Sequence, residues 1–434
     1  MAPLLTRLDL RGATGDLRHL LPAPEVSADG PTDVVREILE KVRAGGDAAL
    51  RELTERLDGT RIEEIAVPRS EIDASVENIP GELRRALEVA RDNVEAFHQA
   101  ELVPDVSYER DGVTVREIRR AVDRAGLYIP GGLAPLASTV LMTAVPARVA
   151  GVEELVATSP PGRNGKVATV VLAAAAIAGV DEVYRVGGAQ AVAAMAYGTE
   201  SIAPVDVIVG PGNRYVAAAE RLVAQQGAVG VPSAFTGPSE VVVVADDTTE
   251  AEWAAVDLVV QAEHGPDGLA WLITWSEAAA DAITDAVERI TAAAPRRREI
   301  TSTLERGGYA VIVDGPEQAL AVCNVVAAEH LELMCADPES LVPLVRAAGA
   351  VFTGPWAPAS VGDYVAGPSH VLPTARSARF GSALGTSDFL KRIHIVALDR
   401  PALDLVAPHV VALATAEGLS AHADSVNLRA AAPR

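Results

Sequence analysis

The sequence predicts an α/β protein with two parallel-sheet units flanked by helical amino- and carboxyl-terminal segments. Three observations carry that expectation. Short β-branched runs alternate with alanine-rich stretches of helical length after Arg124. Each of the first three runs ends in a turn rich in glycine, proline or serine (SPPG, GGAQ, GPGN). The runs are spaced by about one strand-helix-strand unit, the spacing of parallel neighbours joined by crossover helices.

The first hundred residues read as packing helices. Thr32 is placed to cap a helix whose apolar positions Val34, Val35, Ile38, Leu39 and Val42 share one face. Gly45-Gly46 breaks it, Leu50, Leu53 and Leu57 continue it, and Asp58-Gly59 ends it. A further amphipathic stretch runs through Leu83, Leu87, Ala90, Val94 and Phe97. The first sheet series then has strands at Leu155–Thr158, Val183–Val186 and Val207–Val209. The second has strands at Val241–Val244, Trp271–Thr274, Ala310–Val313 and Ala350–Phe352, with a helix over Glu250–Glu263. From about Ala383 a helical pattern resumes, with Pro408 expected to interrupt it.

Composition narrows the function. The 434 residues carry a formal net charge of −22, which repels phosphate backbones and anionic lipid and argues against nucleic-acid or membrane-surface work. Aromatic residues are 4%, so the core must be built from Ala, Val, Leu and Ile. The two cysteines, Cys323 and Cys335, are too few for a disulfide framework or a thiolate zinc site and read as buried fillers. Arg7, Asp9 and Arg11 interrupt any signal-peptide core, and the longest apolar run, Val167–Val180, is shorter than the ~20 residues of a membrane span. It reads as a buried helix, and the chain is expected to be soluble and cytoplasmic.

No G-x-G-x-x-G dinucleotide fingerprint is present. Instead, three glycine-bearing turns follow apolar runs: Tyr128-Ile129-Pro130-Gly131-Gly132, Gly187-Gly188-Ala189-Gln190 and Gly210-Pro211-Gly212-Asn213. Glycine allows backbone N–H groups to approach an anion at a helix amino terminus. Ordinary strand-to-helix turns have the same composition, so these turns alone do not name a ligand.

Four histidines sit in distinctive polar company. Gln261 and His264 (QAEHGPD) project from one face at a helix end. Glu329-His330 follows an apolar stretch, Asp363 and His370 flank a glycine-containing loop, and Glu417 and His422 lie near the carboxyl terminus. Imidazoles with oxygen donors suit a divalent first-row metal, and a Glu-His pair suits general acid/base work. The remaining histidines, His19, His98, His394 and His409, lack such company and are assigned to the surface or to local packing. Residue chemistry alone stops at a metal site with an acid/base pair beside a nucleotide-type α/β edge. A zinc hydrolase and a non-catalytic metal-binding protein remain open at that point.

The segments GLYIPGG, STVLM, VGGAQA, AYGTES, GPGN, GPSEV, QAEHGPD, AEHLEL, GDYVAG, HVLPT and AEGLSAH, in this order, resemble the histidinol dehydrogenase family. The resemblance implies two Rossmann-like units and an NAD-dependent, zinc-dependent, four-electron oxidation of L-histidinol through L-histidinal to L-histidine. It also implies a homodimer whose active sites borrow residues from the partner's carboxyl-terminal segment. Position by position, Gln261, His264, Asp363 and His422 match the zinc ligands; Glu329 and His330 match the acid/base residues. His370, Ser239 and Glu417 match substrate contacts, as do the zinc ligands and His330. Tyr128, Gln190 and Asn213 match NAD contacts. The expected division is an amino-terminal segment 1–25, a discontinuous first α/β domain 26–127 plus 239–382 with the metal and acid/base residues, a second α/β domain 128–238 on the NAD side, and a carboxyl-terminal helical segment 383–434. Three departures stand out: VPSAFTGPSE is about one residue longer than usual before Ser239, Glu220 stands where a lysine is common, and GSALGTSDF differs from the usual serine-rich text. A related dehydrogenase of another small polar alcohol would keep much of this motif set.

Overall fold

The computed structural model describes residues 3–22, 31–131, 134–232, 237, 239–263 and 268–432. Two compact units emerge, one of Met1–Glu101 with Asp123–Phe389 and one of Leu102–Val122 with Leu390–Arg434.

The first unit opens with strand β1 (Thr6–Asp9) and helices α1 (Thr32–Asp58), α2 (Arg69–Ser75) and α3 (Gly81–Glu101). In the second unit β2 (Val106–Arg110) and β3 (Val113–Ala121) form a hairpin. The first unit resumes with β4 (Arg124–Tyr128), α4 (Ala137–Ala150), β5 (Glu154–Thr158), α5 (Thr169–Ile177), β6 (Glu182–Tyr184), α6 (Gly188–Tyr197), β7 (Val207–Val209) and α7 (Arg214–Gln225). These strands make a four-stranded parallel sheet of order β6-β5-β4-β7. Next come β8 (Glu240–Ala245), α8 (Ala251–Ala262), β9 (Leu269–Thr274), α9 (Glu277–Ala293), α10 (Arg297–Gly307), β10 (Gly308–Ile312), α11 (Pro316–Val326), β11 (His330–Met334), β12 (Ala350–Thr353) and α12 (Ala359–Tyr364). They build a six-stranded parallel sheet of order β1-β10-β9-β8-β11-β12.

Strands buried on both faces explain the continuous apolar runs. Val241, Val243 and Ala245 of β8 pack into one core with α8, α9 and α10. Val242 and Val244 pack into the opposite core with Trp271, Leu320 and Cys323, as a two-residue side-chain period requires. A third core joins Val35, Leu39, Leu50 and Leu53 of α1 to Tyr128, Val192 and Ile208 around the four-stranded sheet. The apolar run Val167–Val180 contributes α5, whose residues Val171 to Ala175 are buried, as expected. Both cysteines are buried thiols, and burial pushes Cys323 well above the ordinary thiol range.

Several local expectations are corrected. Thr32 is the first residue of α1 and makes no side-chain cap, because Pro31 occupies the capping position. The break at Gly45-Gly46 is a kink: Gly46 adopts φ +49°, and a Cβ there would collide with the Glu200 carboxylate, which accepts the Asp47 N–H at 2.7 Å. Residues 390–398, read as helical, form strand β13 (Leu390–Leu398), antiparallel to β3. Helices α13 (Arg400–Ala416) and α14 (Ser420–Ala430) follow, and α13 runs through Pro408 without ending. Among the described residues no helix is long and apolar enough to cross a membrane.

Candidate active site

The four-stranded sheet presents the three glycine turns at its carboxyl edge. Tyr128 ends β4, Gly187-Gly188 follows β6, and Gly210 follows β7. Neighbours β4 and β7 are the point where the strand order reverses, where open α/β sheets bind ligands. The turns press together: Gly210, at φ +128°, lies so close to the Tyr128 carbonyl that a Cβ would collide with it. The Tyr128 hydroxyl accepts the Gly188 N–H at 3.0 Å. Burial, aided by the charges of Glu220 and Asp58, pushes this phenol up to about 12 against the Gly188 bond, so it stays protonated. Gln190, on the first turn of α6, is buried and donates Nε2–H to Asp58 at 3.4 Å. Asn213 is exposed and caps α7, its Oδ1 accepting the N–H groups of Tyr215 and Val216 at 2.9 and 3.2 Å. Beside these turns lies a cleft of about 770 Å³, lined among others by Asp58, Gly131, Ser159, Pro160, Arg163 and Lys166. That volume is in the range of small-molecule and cofactor pockets.

Glu220 lies fully buried on α7, and among the described residues neither of its carboxylate oxygens has a hydrogen-bond partner. Burial holds its carboxyl well above the ordinary value, only partly offset by Arg221. The unfolded chain therefore ionises near pH 4.5 while the folded chain keeps the proton, so this group costs stability as pH rises above that point. Glu220→Gln, which does not titrate, is expected to gain more in thermal midpoint over the parent at pH 8 than at pH 5. A pH-independent difference would contradict that account.

The acid/base residues occupy the other sheet. Glu329 immediately precedes β11, and His330 is its first residue, level with Val241 of the adjacent β8. The site therefore stands at the amino ends of β8 and β11, whereas the glycine turns stand at the carboxyl edge of the four-stranded sheet. Strand order reverses here as well. Glu329 is buried, and its Oε2 accepts the Glu240 N–H at 3.1 Å. The Nδ1 of His330 meets the Glu240 carbonyl at 3.3 Å. A carbonyl only accepts, so Nδ1 carries a hydrogen and Nε2 becomes the proton-exchanging atom. That Nε2 lies 3.4 Å from Oδ1 of Asp363, and Glu329 Oε2 lies 3.7 Å from Nδ1.

Asp363 sits near the end of α12, and its carbonyl faces Nδ1 of His370 at 2.8 Å. The same argument places the hydrogen of His370 on Nδ1. Its Nε2 then accepts from the Thr139 hydroxyl at 3.2 Å in the neutral ring. Gln261 is buried at the end of α8, and a Cβ on Gly268 would lie 3.4 Å from the carbonyl oxygens of both Gln261 and Ser239. Ser239 directly precedes β8 and accepts the Leu269 N–H at 3.0 Å. Ser239, Gln261, Glu329, His330, Asp363 and His370 thus gather at one end of the sheet. Glu417 and His422 belong to the second unit, exposed where α13 gives way to α14. His264 lies outside the described residues.

Burial raises the Glu329 carboxyl to about 7, although His330 and the Glu240 N–H oppose it. For His330 burial works downward, but the Asp363 hydrogen bond and the Glu329 charge outweigh it and hold the ring at about 9. Glu240 rises to about 8, first through burial and then through Glu329 beside it. Among the described residues no three His, Cys, Asp or Glu side chains form a ready-made metal site. The donor types fit a zinc site: a buried amide at Gln261 and the carboxylate of Asp363 stand at one end of the sheet, and amide oxygen, carboxylate and imidazole are ligand types that suit a divalent first-row metal. His330 Nε2 is buried and faces the Asp363 carboxylate at 3.4 Å, the contact that holds the ring's pKa up.

Sequence reasoning missed four residues of this cluster: Thr139, Glu240, Asp257 and Glu332. Two carried a signal, since Glu332 follows His330 by one strand period and Asp257 precedes Gln261 by one helical turn. The other histidines act locally as expected; His98, for instance, is buried against Glu101 at 2.6 Å.

The family model described as histidinol dehydrogenase matches residues 22–430. Curated proteins named histidinol dehydrogenase are similar throughout. The one from Parasynechococcus marenigrum (strain WH8102) is 45% identical over 432 residues, covering 98% of both chains. The one from Rhizobium meliloti (strain 1021) is 46% identical, covering 99% of this chain and 98% of its own. The crystal structure of histidinol dehydrogenase from Elizabethkingia anophelis superposes with a TM-score of 0.94 at 32% identity, covering 99% of this chain and 98% of that one.

Proposed function

Since the chain belongs to the histidinol dehydrogenase family, we propose that it oxidises L-histidinol to L-histidine by way of the aldehyde, as an NAD-dependent oxidoreductase with one zinc per subunit. The observation that carries this reading is the buried pair Glu329–His330, with the half-buried Asp363 against it, at the switch point of the six-stranded sheet, and Gln261, Ser239 and His370 at the same end.

The reaction consumes one alcohol, one water and two NAD⁺, and yields one carboxylate, two NADH and three protons. Zinc would be held by Gln261, His264, Asp363 and His422, and the dinucleotide by the turns of Tyr128, Gln190 and Asn213. When bound, NAD accepts the two hydrides, and zinc, which has no redox chemistry of its own, anchors the substrate's imidazole and amine. His330 Nε2 takes the hydroxyl proton as the alcohol becomes an aldehyde. For this the ring must be neutral, which requires the Asp363 carboxylate to turn from His330 to its role as a ligand. Glu329, raised to about 7, is poised near neutrality to take a proton from the water that adds to the aldehyde. Its bond from the Glu240 N–H fixes the carboxylate for that step. Ser239, His370 and Glu417 contact the substrate, with Thr139 orienting the His370 ring.

Glu417 and His422 complete the site from a second copy of the chain. Exposed leucines on the helices bearing them, Leu405 at 62%, Leu413 at 67% and Leu428 at 74%, leave an apolar face for such a copy to cover. Asp363→Asn and His264→Asn chains are expected to fold and to retain less zinc than the parent through gel filtration. Full zinc in the folded variants would contradict the ligand assignment.

A further inference from the structure

Helix α12 is only six residues long, yet it carries Asp363. Its first residue is tied to the sheet: the Ala359 N–H donates to Oε1 of Glu332 at 2.8 Å. Glu332 lies on β11 two residues beyond His330, so both side chains leave the same face of the strand. It is 2% exposed, and its Oε2 is buried with no hydrogen-bond partner of good geometry. Against it lies the carboxyl of Asp257 on α8. Four residues along that helix, on the same face, stands Gln261. One buried carboxyl therefore links the three elements that carry His330, Asp363 and Gln261.

A buried carboxylate and a half-buried one against it cannot both ionise cheaply. Burial and the neighbouring Asp257 push Glu332 up to about 8, against the Ala359 N–H and His330. Asp257 is likewise raised, by burial. One proton shared between the two satisfies both groups.

We propose that Glu332 is a positioning residue for the cation site: accepting from the Ala359 N–H and meeting Asp257 through a shared proton, it sets Asp363 and Gln261 relative to His330. It touches neither substrate nor cofactor. The inference rests on the reading of Asp363 and Gln261 as ligands, and the test separates the two.

The zinc dissociation constant of the full-length chain is measured by competition with a chromophoric chelator, and folding by thermal unfolding of the zinc-free protein. Asp363→Asn serves as the reference. Glu332→Ala is expected to fold and to weaken zinc binding ~10–100-fold, the usual scale for a partner that orients a ligand. Glu332→Gln, whose amide accepts from Ala359 and donates to Asp257, is expected to bind zinc nearly as the parent does. That rescue is a result a general loss of packing would not give. If Glu332→Ala does not fold, Asp257→Ala removes the same link from the other side and is expected to weaken zinc binding similarly. Parental zinc affinity in the alanine variant, beside a weakened Asp363→Asn, overturns the positioning role alone. So does a glutamine variant as impaired as alanine. Parental affinity in Asp363→Asn overturns the ligand assignment, and this inference with it.

Discussion

Glu329→Gln is expected to slow oxidation of the aldehyde ~10²–10⁴-fold, the usual worth of a positioned general base, and to slow oxidation of the alcohol far less. The glutamine side chain has the same shape, and its amide oxygen can still accept the Glu240 N–H, so the local structure at the amino ends of β8 and β11 is retained. It cannot take a proton from water. Only the second half-reaction needs that water; the first needs an acceptor for the hydroxyl proton, a role given to His330, which the substitution leaves in place. Supplying L-histidinol and L-histidinal separately, and following NADH from each, resolves the two halves. Equal losses in both would show that Glu329 serves a step common to them, such as binding or orienting His330.

Mixing two inactive chains is expected to restore activity. A Glu417→Ala/His422→Ala chain keeps the acid/base pair, and a Glu329→Ala/His330→Ala chain keeps the carboxyl-terminal residues. Each homodimer is expected to be dead. If the second unit of one copy completes the site of the other, a heterodimer holds one site with every residue intact and one with none of the four. Purified heterodimers should then show about half the activity of the parent dimer, since one of two equivalent sites works. The exposed position of Glu417 and His422 and the exposed leucines of α13 and α14 support this arrangement. Verified heterodimers without activity would mean that each site is built within a single chain.

The sequence made the parallel sheets legible because their strands are buried on both faces. Val241 to Val244 is an unbroken apolar run between turn residues, and only a two-faced interior demands that. The exposed sheet of β2, β3 and β13 was missed for the opposite reason. Leu390–Leu398 has charged or polar residues only at Lys391, Arg392 and His394 and ends in the apolar run Ile395–Leu398, so it lacks the strict alternation that marks a half-buried strand and reads as part of the helices that follow it. Pro408 misled because a proline inside a helix lowers its stability without having to end it. At the site, adjacency made Glu329-His330 visible, and the glycine turns announced the other sheet's edge. The approach of Asp363 to His330 has no local signature, since the two lie on separate elements, α12 and β11, that only the fold brings together. Glu240 was hidden in the same way: its contact with Glu329 passes through a backbone N–H, which composition does not mark.

The central claim is that this constellation performs a metal-dependent, two-step oxidation of one substrate. Counting NADH formed per L-histidinol consumed, with and without a chelator and then with zinc restored, tests it most directly. Two NADH per substrate, lost on chelation and recovered with zinc, is the predicted result. One NADH per substrate, or turnover indifferent to the chelator after complete metal removal, would contradict it.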